Sequence, residues 1–306
     1  MLWLIVTILA YFFLAISIFG DKFLLAGGIP NPKVYSFYVG ILSIFVIILI
    51  PFGFFLPSPS QIFLSLFTGT IFLFGLYLYY SLVREFEVSR VAPAVGGMVP
   101  IIVFLFVYIF SKGGEIFSLK DVVSFLLLTS GSVLIVIEKS KNILGKSFIF
   151  SLGAAFYFAL YFVLAKSVYT SLAFINGFIW IRFGSFLAAL FFLFFKEVRS
   201  QIFIKSQLKG LKTTGVFIGN QIVGGLGAIL QNWAVALVPL VYVAFINALQ
   251  GIQYAFLLVF TVLLSLIQPL WAKRAGLKEE ISRKIIFQKI IAILIIGGGL
   301  ALLTFK

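Results

Sequence analysis

Residues 219–254 read GNQIVGGLGAILQNWAVALVPLVYVAFINALQGIQY. Seven side-chain amides, Asn220, Gln221, Gln231, Asn232, Asn247, Gln250 and Gln253, stand there in runs apolar enough to lie in lipid. An unpaired polar group in lipid costs several kcal/mol, so each amide needs a partner. At about 100° per residue a helix puts Asn220, Gly224, Gly227 and Gln231 on one stripe, and Asn247, Gln250 and Tyr254 on a second. Two polar stripes on consecutive segments can line one common space.

The rest of the chain agrees with that setting. Of 306 residues, 62% are hydrophobic and 10% charged, with a mean hydropathy of +1.21. Those values exclude a soluble domain and predict an all-α integral membrane protein, whose length divides into spans of about 20 residues. With no histidine and no cysteine there is no imidazole base, thiol nucleophile, disulfide or ordinary zinc site. The nine carboxylates, from Asp21 to Glu280, fall at segment ends or in connections, without paired or metal-ligand spacing. Gly145-Lys146-Ser147 lacks the preceding glycine of a phosphate-binding loop. The reading is therefore not an enzyme, with no cofactor and no metal. The net charge of +14 sits between apolar runs, which argues for orientation in a bilayer rather than nucleic-acid binding.

Ten apolar segments can be drawn, at about 2–19, 34–51, 61–80, 88–110, 121–138, 145–167, 173–195, 213–236, 240–265 and 286–303. The first has neither a basic leader nor a small-residue cleavage pattern, so it reads as a retained span. The basic connections after Lys196 and Gln268 read as interfacial helices. The fourth segment is the most interrupted, with Pro93, Gly96, Gly97 and Pro100 in apolar sequence. A bend facing a cavity is expected there, as a hinge or as an accommodation to tight packing. Gly224/Ala228 and Gly297 to Gly299 read as packing surfaces.

A shift of 144 places Gly40 on Gly184 and Lys22 on Lys166, and a shift of 152 places Ser89-Arg90-Val91-Ala92 on Val241-Tyr242-Val243-Ala244. The halves, 1–142 and 143–306, each hold five segments, a cation after the first and a tight turn between the third and fourth. An odd number of spans per half makes the halves inverted repeats, with a site near the midplane between them.

The five-plus-five layout resembles the drug/metabolite transporter superfamily, specifically its EamA-type members. The local matches are Gly114-Glu115, then Asp121 and Gly131 with Val133-Leu134-Ile135; Ala92 through Pro100 is similar to that family's fourth helix, and Gly298 to Leu303 to its tenth. The resemblance implies a multi-pass cell-membrane transporter of small metabolites, with a cavity between the first, third, fourth, sixth, eighth and ninth helices.

Candidate substrate contacts are Gln231, Asn232, Asn247, Gln250 and Tyr254, together with Tyr11, Tyr80 and Arg182. Each also has a plainer reading: amides as interhelical glue, tyrosines as an interfacial belt, and Arg182 snorkelling to the surface. The partners expected are a small-molecule substrate and the lipid bilayer, with no nucleic acid and with room for a homodimer. A lipid flippase and a non-transporting structural subunit are the competing readings.

Two further expectations concern orientation and coupling. Of 23 lysines and arginines, 18 fall in odd-numbered connections and four on the other face, which puts both termini outside the cytoplasm, opposite to what the resemblance implies. Asp21 and Glu87 sit at segment ends and no histidine is present, which points to facilitated diffusion or exchange of a neutral or zwitterionic solute, or of an anion if Arg182 faces inward.

Overall fold

The computed structural model describes residues 2–86, 88–110, 118–134, 146–204, 211–267 and 283–304. Those residues form an all-helical bundle. The helices are α1 (Leu2–Phe23), α2 (Pro32–Leu42), α3 (Pro59–Glu85), α4 (Val88–Phe110), α5 (Leu119–Leu134), α6 (Lys146–Ser171) and α7 (Phe174–Phe191). They continue with α8 (Leu211–Leu237), α9 (Val243–Ala248), α10 (Gln250–Ile267) and α11 (Arg283–Thr304). A π-turn, Leu24–Gly28, lengthens α1, and a 3₁₀ stretch, Ser43–Phe52, lengthens α2.

Local sequence explains the starts and stops. Asn31 caps α2 by accepting from the Lys33 amide at 3.0 Å, with Pro32 at the first position, where a missing N–H costs nothing. At α3, Pro59 plays the same part, and the Gln61 side chain accepts from the Ser58 amide at 3.0 Å. Gly53 turns the chain out of the 3₁₀ stretch at φ 147°, a backbone that L side chains rarely adopt.

Seven helical stretches among the described residues are long and apolar enough to cross a membrane: Leu2–Gly28, Pro32–Phe52, Pro59–Glu85, Phe148–Ser171, Phe174–Phe194, Thr213–Leu237 and Leu240–Leu257. Ala94–Phe110 and Ile290–Leu303 are apolar but shorter. Large apolar side chains such as Phe45, Ile48, Phe63 and Ile149 point outward, which is stable only against lipid.

Contacts at the two ends set the helix directions. At one end Lys22 Nζ donates to the Val83 and Phe86 carbonyls at 2.8 and 3.0 Å, Gly28 lies against Thr213, and Lys33 pairs with Glu197 at 3.7 Å. At the other, the Phe55 amide donates to Asn176 Oδ1 at 3.1 Å, Gln61 Nε2 to the Ser171 carbonyl at 3.2 Å, and Lys166 Nζ to the Ala236 carbonyl at 3.1 Å. Lys22 thus caps the C-terminus of α3, and Lys166 that of α8.

Small residues set how closely the helices approach. A Cβ on Gly224 would lie 2.6 Å from Ser17 Oγ, and one on Gly227 2.8 Å from Leu14 Cγ, so α8 lies directly along α1. Gly69 and Gly184 bring the backbones of α3 and α7 together, and Gly131 brings α5 to within a side chain's width of Ile296 on α11. Of the glycine run at 297–299, Gly299 packs against Leu128, while Gly297 and Gly298 face open space.

One sequence expectation changes. The stripe Asn220, Gly224, Gly227, Gln231 faces Gly20, Ser17, Leu14 and Tyr11, so it forms the α1–α8 seam rather than an open wall. The fourth segment is α-helical from Val88 to Phe110 through Gly96, Gly97 and Pro100, with Gly96 and Gly97 in close contact with neighbouring helices. The interruption falls in the ninth segment, at Leu249 between α9 and α10. Gly114-Glu115, Ile135 and Glu87 lie outside the described residues, as do the side chains of Pro93, Arg90 and Lys146.

Candidate functional site

The break at Leu249 lies midway along the Leu240–Leu257 stretch. Interrupting a helix strands backbone carbonyls, which in lipid must find other donors. Tyr11 Oη donates to the Ile246 carbonyl at 2.7 Å, and Ser132 Oγ donates to the Ala248 carbonyl at 3.0 Å. The Asn247 side chain donates to Val243 O at 2.9 Å, competing with the helix's own ladder at the point where it fails. Donors from α1 and α5 therefore meet carbonyls at a one-residue irregularity, where Leu249 keeps right-handed helical geometry, its N–H still bonds the Phe245 carbonyl at 2.9 Å, and Ile252 N–H turns to the Leu249 carbonyl.

Polar capacity is left over around this break. Asn247 Oδ1 and Gln253 Oε1 are buried acceptors without a donor among the described residues. Gln250 is half-buried, and its side chain makes no hydrogen bond among the described residues. Gly96 on α4 fits against it: a Cβ there would overlap the Tyr254 hydroxyl and come within 2.8 Å of Gln250 Cδ. Gly97 faces Val133 Cγ2 on α5 at 3.0 Å, and Pro100 is buried. The fourth segment thus meets the broken helix as a close-packed wall.

Arg182 lies eight residues into α7, which at 1.5 Å per residue is about 12 Å from its start and near the middle of a roughly 30 Å hydrocarbon core. Its guanidinium does not snorkel. It is held between two ring faces, with Cζ 4.8 Å from the Phe72 centroid on α3 and 4.9 Å from that of Phe178. Cation–π contact offsets part of the desolvation but leaves the five N–H donors unspent. Among the described residues Arg182 has no carboxylate partner and no hydrogen bond. The phenols of Tyr80, Tyr161 and Tyr169 lie within electrostatic reach of it. Tyr161 and Tyr169 spend their hydrogens on Asn232 Oδ1, at 2.7 and 2.8 Å, so Asn232 clasps α6 to α8. Tyr80 makes no hydrogen bond among the described residues and stands edge-on to Tyr35, with centroids 4.7 Å apart.

The predicted residues thus separate into working groups. Tyr11 and Gln231 meet across α1 and α8, with Gln231 Nε2 3.5 Å from Tyr11 Oη. Gln250, Asn247 and Tyr254 gather at the break, and Arg182 and Tyr80 form a second pole. Tyr254 lies within electrostatic reach of Tyr79 and Tyr11, and Tyr79 packs on Tyr80 with centroids 6.0 Å apart, so tyrosines join the two poles.

Sequence reasoning missed a third cluster. Asp21, 7% exposed, accepts at Oδ1 from Tyr35 Oη on α2 and from Asn220 Nδ2 on α8, at 2.5 and 2.7 Å. Asn220 occupies the space that a side chain at Gly20 would fill. The available signal was Gly20-Asp21 beside an apolar run, with Asn220 on the stripe that faces it. Asp21 is therefore inside the bundle, not at an exposed end.

Seven membrane-length apolar helices around this polar interior define a multi-pass helical membrane protein. No protein-family model matches the chain, and no curated protein matches it. A solved crystal structure of a protein is similar to it, with a TM-score of 0.61 and 16% identity, over 99% of this chain and 95% of that one. At that identity the likeness bears on the fold alone.

Proposed function

We propose that the chain crosses the membrane ten times as two inverted five-helix repeats, on the EamA-type plan of a drug/metabolite transporter in the cell membrane, and carries a small organic anion by alternating access. Two lysines support the repeat. Lys22, next to the end of the first helix of one half, caps the third helix of that half, and Lys166 does the same in the other half at the opposite end of the bundle. The helix pairs agree: α1 against α8 and α3 against α6 are exchanged by swapping halves, and both are among the most extensive packings.

The observation that carries the cargo class is Arg182. An arginine at bilayer depth costs about 2.5–3.5 kcal/mol even on permissive scales, and this one makes no hydrogen bond among the described residues while aromatic rings fix its position. A carboxylate or phosphate monoester offers the planar, paired acceptors that a guanidinium fits. Tyr80 supplies a further hydroxyl, and the free amides at the break supply contacts to the rest of the solute. The irregular turn at Leu249 brings those amides to mid-depth, the level at which carriers commonly place such a site.

The test is uptake of labelled carboxylates and phosphate monoesters into proteoliposomes. Arg182→Gln abolishes uptake while the protein still elutes as a folded species, and Arg182→Lys retains a small fraction, since lysine keeps the charge but not the fork. Unchanged uptake in Arg182→Gln overturns the reading.

A further inference from the structure

We infer that Asp21 is a proton-binding site, so that a singly charged anion such as a monocarboxylate, held by Arg182, crosses together with one proton and with no net charge. The inference rests on the transport reading above and adds the coupling ion.

Asp21 is a buried carboxyl in α1 whose surroundings are neutral. Tyr35 faces it from α2, Asn220 from α8, and the Tyr79 and Tyr80 phenols lie within electrostatic reach from α3. Gln221 on α8 donates to Tyr35 Oη at 3.3 Å. On α10, which packs on α1, the titratable neighbour is Tyr254. Lys22 follows it in sequence but directs its ammonium to the Val83 and Phe86 carbonyls. Among the described residues no cation pairs with Asp21. Structural buried carboxylates are usually paired with a cation. This one has hydrogen bonds to Oδ1 only, while Oδ2 makes none among the described residues and is not sealed off. Both donors point at the carboxylate. A sodium ion would need acceptors there instead, so the fitting ligand for Oδ2 is a proton.

Charge links the two sites. In the empty interior Arg182 carries one positive charge and Asp21 one negative, and Tyr80 lies within electrostatic reach of both. An anion on Arg182 neutralises the first, and a proton on Asp21 neutralises the second. The empty and doubly loaded states therefore carry equal net charge, whereas either ion alone leaves one unit uncompensated in a low-dielectric interior. Only the empty and doubly loaded forms reorient readily, which couples the fluxes one to one. The proton comes from water on one face, forms an O–H bond at Oδ2, and returns to water on the other. Proton-independent movement was expected because no histidine is present and Asp21 and Glu87 sit at segment ends; Asp21, although near the end of α1, is buried among neighbouring helices.

The test uses proteoliposomes with the voltage clamped by potassium and valinomycin. In wild type, an inward proton gradient drives accumulation of the labelled anion, and neither voltage nor a sodium gradient does. Asp21→Asn, which mimics the protonated form, keeps anion-for-anion exchange at equal pH but loses proton-driven accumulation at least tenfold, because the empty carrier cannot return. Exchange without any response to the proton gradient, accumulation driven by sodium, or full accumulation in Asp21→Asn each overturns the inference while leaving transport standing. If no panel anion exchanges at all, the transport reading fails. Infrared difference spectra then decide the proton site: a carboxylic C=O band appears on acidification of the wild-type protein and is absent in Asp21→Asn. An identical band in both proteins overturns it.

Discussion

Removing one hydroxyl tests why the ninth segment is broken. Tyr11→Phe deletes the donor to the Ile246 carbonyl, a 2.7 Å contact with both ends buried. A buried carbonyl stripped of its partner costs about 1–3 kcal/mol in soluble proteins, and membrane hydrogen bonds average nearer 0.6. The short distance and complete burial place this one at about 1–2 kcal/mol, with little from Gln231, whose amide is 3.5 Å from the same hydroxyl. Ser132→Ala removes the donor to the Ala248 carbonyl, but Ser132 shares its hydrogen with Leu128 O at 2.8 Å, so about 0.5–1 kcal/mol is lost. The double variant loses less than the sum, because without both outside donors α9 and α10 can close into one helix, Gln250 N–H taking the Ile246 carbonyl. Thermal unfolding in nanodiscs reads the stability, with a fall of roughly 2–4 °C expected for Tyr11→Phe. Anion uptake reads the site and falls most in the double variant. A Tyr11→Phe protein that melts and transports like wild type refutes the claim that this hydroxyl supports the irregular turn.

Two other perturbations follow from the packing, and one measurement from the distribution of charge. Gly96→Leu drives a side chain into Tyr254 and Gln250 and abolishes uptake, whereas Gly297→Leu, where nothing lies within 4 Å, leaves uptake within about twofold of wild type; equal effects would show that α4 does not wall the site. Lys22→Met and Lys166→Met each uncap a helix C-terminus and each cost about 0.5–2 kcal/mol in chemical denaturation, as the proposed repeat requires, and a large loss in one with none in the other would break the equivalence. If the chain crosses ten times as proposed, the excess of cations at odd-numbered connections predicts both termini outside the cytoplasm, so a C-terminal fusion that fluoresces only in the cytoplasm is expected to stay dark, and a bright fusion reverses the orientation.

Which features were readable from sequence follows from the range of the interaction behind each. Apolar run length is local, and seven of the helical stretches it marks among the described residues are long and apolar enough to cross a membrane. Small residues at a crossing were visible at Gly224, because close approach leaves a compositional mark, whereas of the run at 297–299 only Gly299 meets a neighbour. Partner choice leaves no such mark. The stripe from Asn220 to Gln231 is correct as a stripe, but nothing in its period says that α1, about 200 positions earlier, covers it. The irregular turn in the ninth segment left no mark for the same reason. Proline and glycine mark where a ladder can fail, yet failure in lipid also requires outside donors for the freed carbonyls. Leu249 has them in Tyr11 and Ser132, each more than a hundred positions away, and α4 stays whole despite two prolines.

Asp21 carries the same lesson to the candidate site. The first apolar segment ends at residue 19 if a charge is taken as the edge of the membrane, which makes Asp21 and Lys22 look like surface residues. The helix instead continues through both and gains a further turn, Leu24–Gly28, whose Leu24 and Leu25 are buried. It can do so because each charge is met across the bundle, the carboxylate by Tyr35 and Asn220 and the ammonium by the carbonyls that end α3. A charge ends a membrane helix only when it needs water, and these two receive from other helices what water would supply. That substitution keeps Asp21 within electrostatic reach of Tyr80, and Tyr80 within reach of Arg182, so one buried phenol connects the chain's interior carboxylate to its interior guanidinium.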